Sequence, residues 1–457
     1  MRYKANKTEE NPMGVRPVLP LLLSMSFPPM ISMLIQSMYN IVDSIYLASY
    51  SKEALTAVSL VYPLQNLALA IQVGFGVGIN ACMARSLGEK NREMTSSIVA
   101  HGIFCSLVHS LLFVVIGLGF TGPFVGMFTD NQEIYEMGKC YGAIVMSMAF
   151  GATFHIFIEK MFQAHGNMLI PMFLQAAGAL VNIVLDPIFI FGYFGLEPMG
   201  VTGAAVATVI GQITACILAI ILFLKGNMDI ELKGRRFSID GKLLKRIYSI
   251  AVPSAALTAL PSVMVSILNG ILAGLSESAV SILGVYIKLQ SFVYMPANGV
   301  IQGLRPIVGY CYGAGKPDRI KKAAESAMGS IAVIMLLGTL LFLLIPGTIM
   351  GLFSPDEEML RQGTQALRII STGFLISSVS LTVSGVFEGL GNGVSSLAVN
   401  LVRQFLVIPP VALFLSGTSL GLSGVWAAFP IAEILAAILA AVLYQKRIKE
   451  RIFLPLS

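Results

Sequence analysis

Gln36, Tyr39, Asn40 and Asp43 lie three and four residues apart in an otherwise apolar stretch. In a helix that spacing puts all four on one face. The stretch is long enough to cross a membrane, where an ionisable side chain costs at least about 2.5–3.5 kcal/mol. One buried Asp can simply hold helices together. A whole polar stripe needs water or a ligand beside it, so it marks a functional cavity. A second acidic element is Asn182-Ile183-Val184-Leu185-Asp186-Pro187. Asn182 and Asp186 are four apart and share a face. Pro187 has no N–H and frees a carbonyl one turn earlier. A carboxylate, an amide oxygen and a free carbonyl suit a hard cation, so Asp43, Asn182 and Asp186 could hold Na⁺. They suit a proton as well, because burial and a second carboxylate both favour the neutral form of a carboxyl group. The alternative is an Asp that only caps a proline kink.

Three more charges sit inside apolar runs: Lys288, Arg403 and Glu433. Lys288 and Glu433 could line a substrate path or form an ion pair with each other. Arg403 reads as structural or as snorkelling toward an interface. Met33 adds a flexible, polarisable side chain to the first stretch, suited to varied apolar ligands. With Gln36, Tyr39, Gln65 and Gln290 it completes the expected substrate lining. His101, His109, His155 and His165 share no ligand spacing, and the five cysteines include no CxxC pair. No GxxxxGK[ST] loop occurs, which leaves ATP-driven transport by this chain unsupported. No catalytic constellation stands out, so the chain is not expected to be an enzyme or to carry a cofactor.

The elements that hold these residues follow from composition. Of 457 residues, 56% are hydrophobic and 12% charged, and the mean hydropathy is +0.80. Soluble domains carry about 25% charged residues, so an ordinary soluble enzyme, a nucleic-acid binder and a disordered chain are excluded. Apolar runs of about 20 residues or more predict twelve helices, over 17–48, 54–82, 96–118, 137–158, 169–192, 201–224, 247–272, 279–304, 323–345, 363–385, 396–416 and 422–444. On that topology 24 of the 30 Lys and Arg residues lie on one side, including Lys233, Arg235, Arg236, Lys446 and Arg447. Positive loops stay inside, so both termini and the central loop are expected in the cytoplasm. A removable signal peptide is not expected. The implied fold is an all-α integral membrane protein with two pseudo-symmetric six-helix bundles. Its parts are a tail over 1–16, one lobe over 17–225, a loop over 226–246, a second lobe over 247–445 and a tail over 446–457.

The halves repeat. A shift of 225 residues pairs Pro28 with Pro253, Leu64-Gln65 with Leu289-Gln290, Gly74 with Gly299, and Gly166-Asn167 with Gly391-Asn392. After small slips Gln212 meets Glu433, while Asp43 and Asp186 meet Leu268 and Pro409. Each half holds an even number of spans, so the two share one orientation, with a site expected near the midplane.

Tyr39-Asn40-Ile41-Val42-Asp43, the run into Ala84-Arg85-Ser86-Leu87-Gly88, Asn182…Asp186-Pro187 and Gly309-Tyr310-Cys311-Tyr312-Gly313-Ala314-Gly315 together resemble the multidrug and toxic compound extrusion (MATE) family. The resemblance runs over about residues 17–445 and is nearest to its DinF-like branch. It implies two six-helix lobes around a V-shaped cavity, and antiport of H⁺ or Na⁺ against organic, often cationic, compounds. It also implies a monomer in the cell membrane. By resemblance Asp43, Asn182, Asp186 and Tyr141 form the cation site, with Asn40 and Thr208 beside it. Some members carry second-lobe carboxylates on spans seven and ten. Val252–Ser266 and Gly373–Gly385 hold none, which counts against a second-lobe Na⁺ site. A lipid-linked glycan flippase of the related superfamily is the alternative reading; it would need several basic residues in its cavity, and only Lys288 and Arg403 are candidates.

Overall fold

The computed structural model describes residues 11–226, 238–353 and 356–451. Most of the central loop and the outer parts of both tails, with Lys233, Arg235 and Arg236, lie outside the described residues. The first half contains α1 (Val18–Tyr50), α2 (Lys52–Gly88), α3 (Arg92–Gly119), α4 (Gln132–Ser147), α5 (Phe150–Ala164), α6 (Leu169–Phe191) and α7 (Gly200–Lys225). The second contains α8 (Gly241–Ala273), α9 (Glu277–Gly313), α10 (Pro317–Leu344), α11 (Glu357–Ser371), α12 (Phe374–Gly389), α13 (Gly393–Ser416) and α14 (Leu422–Arg451). No strand occurs among the described residues. Ten helices are individually long and apolar enough to cross a membrane. Two further pairs are apolar enough together but bent, α4–α5 by 43° and α11–α12 by 49°; counting each pair as one broken span gives twelve.

Local chemistry explains the repeat. Gly166 and Gly391 have φ of 84° and 77°, a left-handed conformation that glycine adopts without Cβ strain. Each ends a helix. The Asn that follows caps the next one, with Asn167 Oδ1 accepting from the Ile170 N–H at 3.1 Å and Asn392 Oδ1 from the Ser395 N–H at 3.4 Å. The breaks in the two bent spans, at 148–149 and 372–373, also fall at matching positions. α13 carries a π-turn over Val402–Val407 for which its partner α6 has no equivalent.

Contacts divide the chain into two units. One is built mainly from Ile31–Ala255, the other from Met13–Met30 and the residues from Ala256 onward. The divisions therefore fall inside α1 and α8, at positions 225 residues apart. Small residues make this packing possible. A Cβ on Gly74 would lie 2.6 Å from the Ala251 carbonyl, and one on Gly303 would lie 3.1 Å from the Met25 carbonyl. In the first unit the start of α8 is held from α3, where His101 Nε2 accepts from the Asp240 N–H at 2.9 Å. In the second unit Lys316 and Arg319 donate to the Gly14, Met13 and Arg16 carbonyls just before α1.

Several helices extend beyond the apolar runs that announce them, and the extensions carry charge. Lys160 pairs with Glu159 at 2.9 Å and Arg305 with Glu388 at 2.5 Å. These ions lie one or two residues past the expected ends at 158 and 304, and three past 385. They were counted as loop residues because hydropathy reports the apolar stretch, whereas the backbone continues as long as its hydrogen bonds do.

Candidate functional site

The first unit gathers the acidic residues through one close helix contact. α6 and α7 meet where Gly211 faces Gly178: a Cβ on Gly211 would come 2.7 Å from the Gly178 carbonyl and 3.2 Å from Asn182 Cβ. That approach lets Asn182 reach across the pair. Its amide nitrogen donates to Asp186 Oδ1 at 3.1 Å along α6 and to Thr208 Oγ1 at 3.4 Å on α7. Asp186 is 0% exposed and Asn182 3%.

α1 and α4 supply the rest. Asp43 acts electrostatically on Asp186, and Tyr39 and Tyr141 feel both carboxylates. The Tyr141 hydroxyl accepts from Gln65 Nε2 at 3.4 Å. Asp43, Asp186, Asn182, Thr208, Tyr39, Tyr141 and Gln65 thus form one connected neighbourhood. The Asn40 side chain is exposed, and Gln36 and Met33 are half-buried one and two turns farther toward the N-terminal end of α1.

Three acceptors in this neighbourhood find no donor among the described residues. Asp43 Oδ1, Asp186 Oδ2 and Asn182 Oδ1 are buried and have no partner. All three are acceptors. The amide donor of Asn182 is already used twice, and neither carboxylate has a salt-bridge partner among the described residues. Buried polar atoms are nearly always satisfied, so three unfilled acceptors in one place call for a donor or a cation. Among the described residues no group of three or more His, Cys, Asp or Glu is arranged to hold a metal.

The second unit handles charge differently. Arg403 does not snorkel; it is 7% exposed and its Nε lies 2.8 Å from Glu433 Oε1. Glu433 therefore pairs with Arg403, and Lys288, exposed on α9, takes no part in that pair. Tyr294, missed in the sequence, joins them. Its hydroxyl lies 3.4 Å from Glu433 Oε1 and 3.2 Å from Ser377 Oγ, and its ring lies 5.5 Å from the Arg403 guanidinium. Gln290, one turn before Tyr294 on α9, shares its helix face. That spacing was the signal available: a polar residue four before a Tyr on one face.

Comparison with known proteins gives consistent findings. The MatE family's sequence model matches twice, over residues 28–188 and 253–413. The chain is similar to the multidrug export protein MepA of Staphylococcus aureus (strain MSSA476), 25% identical over 438 residues and 95% of each chain. It is 27% identical to MepA of Staphylococcus haemolyticus over 92% of this chain and 91% of that one. Among solved structures it resembles the outward-facing conformation of a multidrug resistance MATE family transporter of the MOP superfamily. That match has a TM-score of 0.89 and 25% identity, and covers 97% and 98% of the two chains. A MOP superfamily transporter from Pyrococcus furiosus matches with the same score and identity over 97% and 99%.

Proposed function

The chain belongs to the MatE family, and from that premise we propose that it exports structurally varied organic compounds by cation antiport, with the coupling ion held at Asp43 and Asp186. The observation that carries this reading is the set of three buried acceptors around Asn182 with no donor. A proton supplies a donor with no further ligands. A hard cation takes about six oxygens, so Na⁺ would need both carboxylates, Asn182 and Thr208 to turn all their oxygens onto one point. The proton is the simpler fit.

The cycle follows from charge. With both carboxyls ionised, two like charges share a poorly hydrated site and attract a cationic substrate. A proton removes one charge, satisfies an acceptor and weakens that attraction, and substrate leaves. Linkage makes the effect reciprocal, so bound substrate favours proton release. Pro28 and Pro29 lie inside α1 and interrupt its hydrogen-bond ladder, so the helix that carries Tyr39 and Asp43 has a built-in bending point. Alternating access between the lobes, both termini in the cytoplasm, residence in the cell membrane and a monomeric state complete the proposal. The flippase alternative loses support, because Arg403 is neutralised by Glu433 and is not free for a pyrophosphate.

Reconstitution into proteoliposomes tests the coupling. An imposed pH gradient should drive export in the wild type. Asp43→Asn and Asp186→Asn should each reduce it about tenfold or more, the change that about 1.4 kcal/mol of coupling free energy gives. Full pH-driven export by either variant would overturn the assignment.

A further inference from the structure

The second unit holds another buried acceptor without a partner among the described residues. Glu433 is 7% exposed, and its Oε2 is buried without a hydrogen-bond partner among the described residues. Its other oxygen is occupied by Arg403 and Tyr294. A carboxylate offers about four acceptor positions, so the ion pair leaves Glu433 able to take a further donor.

The backbone around it is irregular on three sides. α11 and α12 break beside it at 372–373, with a bend of 49°. A Cβ on Gly373, at that break, would lie 3.0 Å from Pro430 Cα and 3.2 Å from Glu433 Cγ. Arg403 is presented by the π-turn of α13, and Pro430 interrupts α14 one turn before Glu433. Broken spans and π-turns are where transporters commonly place ligand sites, because irregular backbone within a membrane is tolerated where it serves a cavity. The repeat adds a further sign. Gln212, the first-half counterpart of Glu433, also has a buried side-chain oxygen, Oε1, without a partner. Both halves keep an open acceptor at this position.

We propose that Glu433 Oε2, backed by Arg403 and Tyr294, is a substrate subsite for a protonated amine bearing at least one N–H. The N–H donates to the free oxygen, while Arg403 and Tyr294 hold the carboxylate in place. The subsite rests on the exporter reading and deepens it. Glu433 then supplies the N–H contact, in addition to the charge attraction that Asp43 and Asp186 exert on a cationic substrate. A quaternary ammonium carries the same charge but has no N–H, so Glu433 sets a preference for amines over their quaternary counterparts.

The test is a binding measurement on the purified full-length chain, by calorimetry, with a tertiary amine held at a pH where it is protonated and with its N-methylated quaternary counterpart. The wild type should bind the tertiary amine about tenfold more tightly or better, as a charge-assisted hydrogen bond provides. Glu433→Gln should bring the ratio to within about twofold, since the full negative charge is gone. If Glu433→Gln does not fold, the exchange variant Arg403→Glu/Glu433→Arg keeps the ion pair but moves the carboxylate, and the preference should disappear there too. An unchanged ratio in either folded variant would overturn the proposal, as would a wild type with no preference. Binding needs no ion gradient. Failure of the exporter reading would show separately, as wild-type proteoliposomes that export nothing.

Discussion

Asp43, Asp186 and Asn182 each present a buried oxygen that no described residue satisfies. Their residue types were visible in the sequence, because a carboxylate in an apolar run stands out. Their meeting was less visible. Asn182 and Asp186 share a helix face by spacing, but Thr208 and Tyr141 joined the site only through family resemblance. What brings Thr208 close is Gly211 against Gly178, a contact that no local pattern announces. Replacing Gly211 with Leu should wedge α6 from α7, separate Asn182 from Thr208 and lower pH-driven export, while Gly211→Ala should have a smaller effect. The ratio of the two export rates checks this. A second residue-scale prediction concerns Lys90, which has φ of 54° where its repeat partner Gly315 has 63°. A side chain in that conformation costs about 1 kcal/mol. Lys90→Gly should therefore stabilise the protein by up to about 1 kcal/mol, read as a higher thermal midpoint in detergent.

Helices were the most legible elements, and their irregularities the least. Every expected span corresponds to a helix or a bent pair, because about 20 apolar residues in a row permit little else in a bilayer. The breaks at 148–149 and 372–373 carry no proline, and the π-turn of α13 has no sequence signature at all. Spacing alone therefore leaves Arg403 either structural or snorkelling, and the ion pair decides for the structural role. Thirty residues separate it from Glu433, and only the packing of α13 on α14 reveals the pair. Breaking a buried pair leaves one ion uncompensated, whereas replacing both ions by apolar groups can be neutral. Arg403→Met alone should destabilise the protein by about 3 kcal/mol. Arg403→Met/Glu433→Leu should recover most of that loss. Thermal unfolding of the two variants side by side decides it, and equal stability of the single variant and the wild type would contradict the pairing.

At the scale of the whole molecule the duplication is the organising fact. One offset governs the glycine turns, the Asn caps and the two stretches matched by the MatE family, and the span breaks follow it to within one residue. The sequence carried this plainly, because turns and caps demand particular residue types and so survive as a pattern. It did not indicate that the contact boundary lies inside α1 and α8, since the residues there differ little from the rest of each helix. Charge is what distinguishes the halves. Among the described residues the first keeps Asp43 and Asp186 without a cation, whereas in the second Glu433 and Glu388 are paired with Arg403 and Arg305. That asymmetry is what supports the proposal of ion coupling in the first half. The most direct test is proton movement during export in proteoliposomes, with a pH-sensitive dye inside and substrate added. The wild type should move protons against substrate under a pH gradient and show no such exchange under a Na⁺ gradient, and Asp186→Asn should export without counter-moving protons or not export at all. Undiminished proton-coupled export by Asp186→Asn would contradict the account.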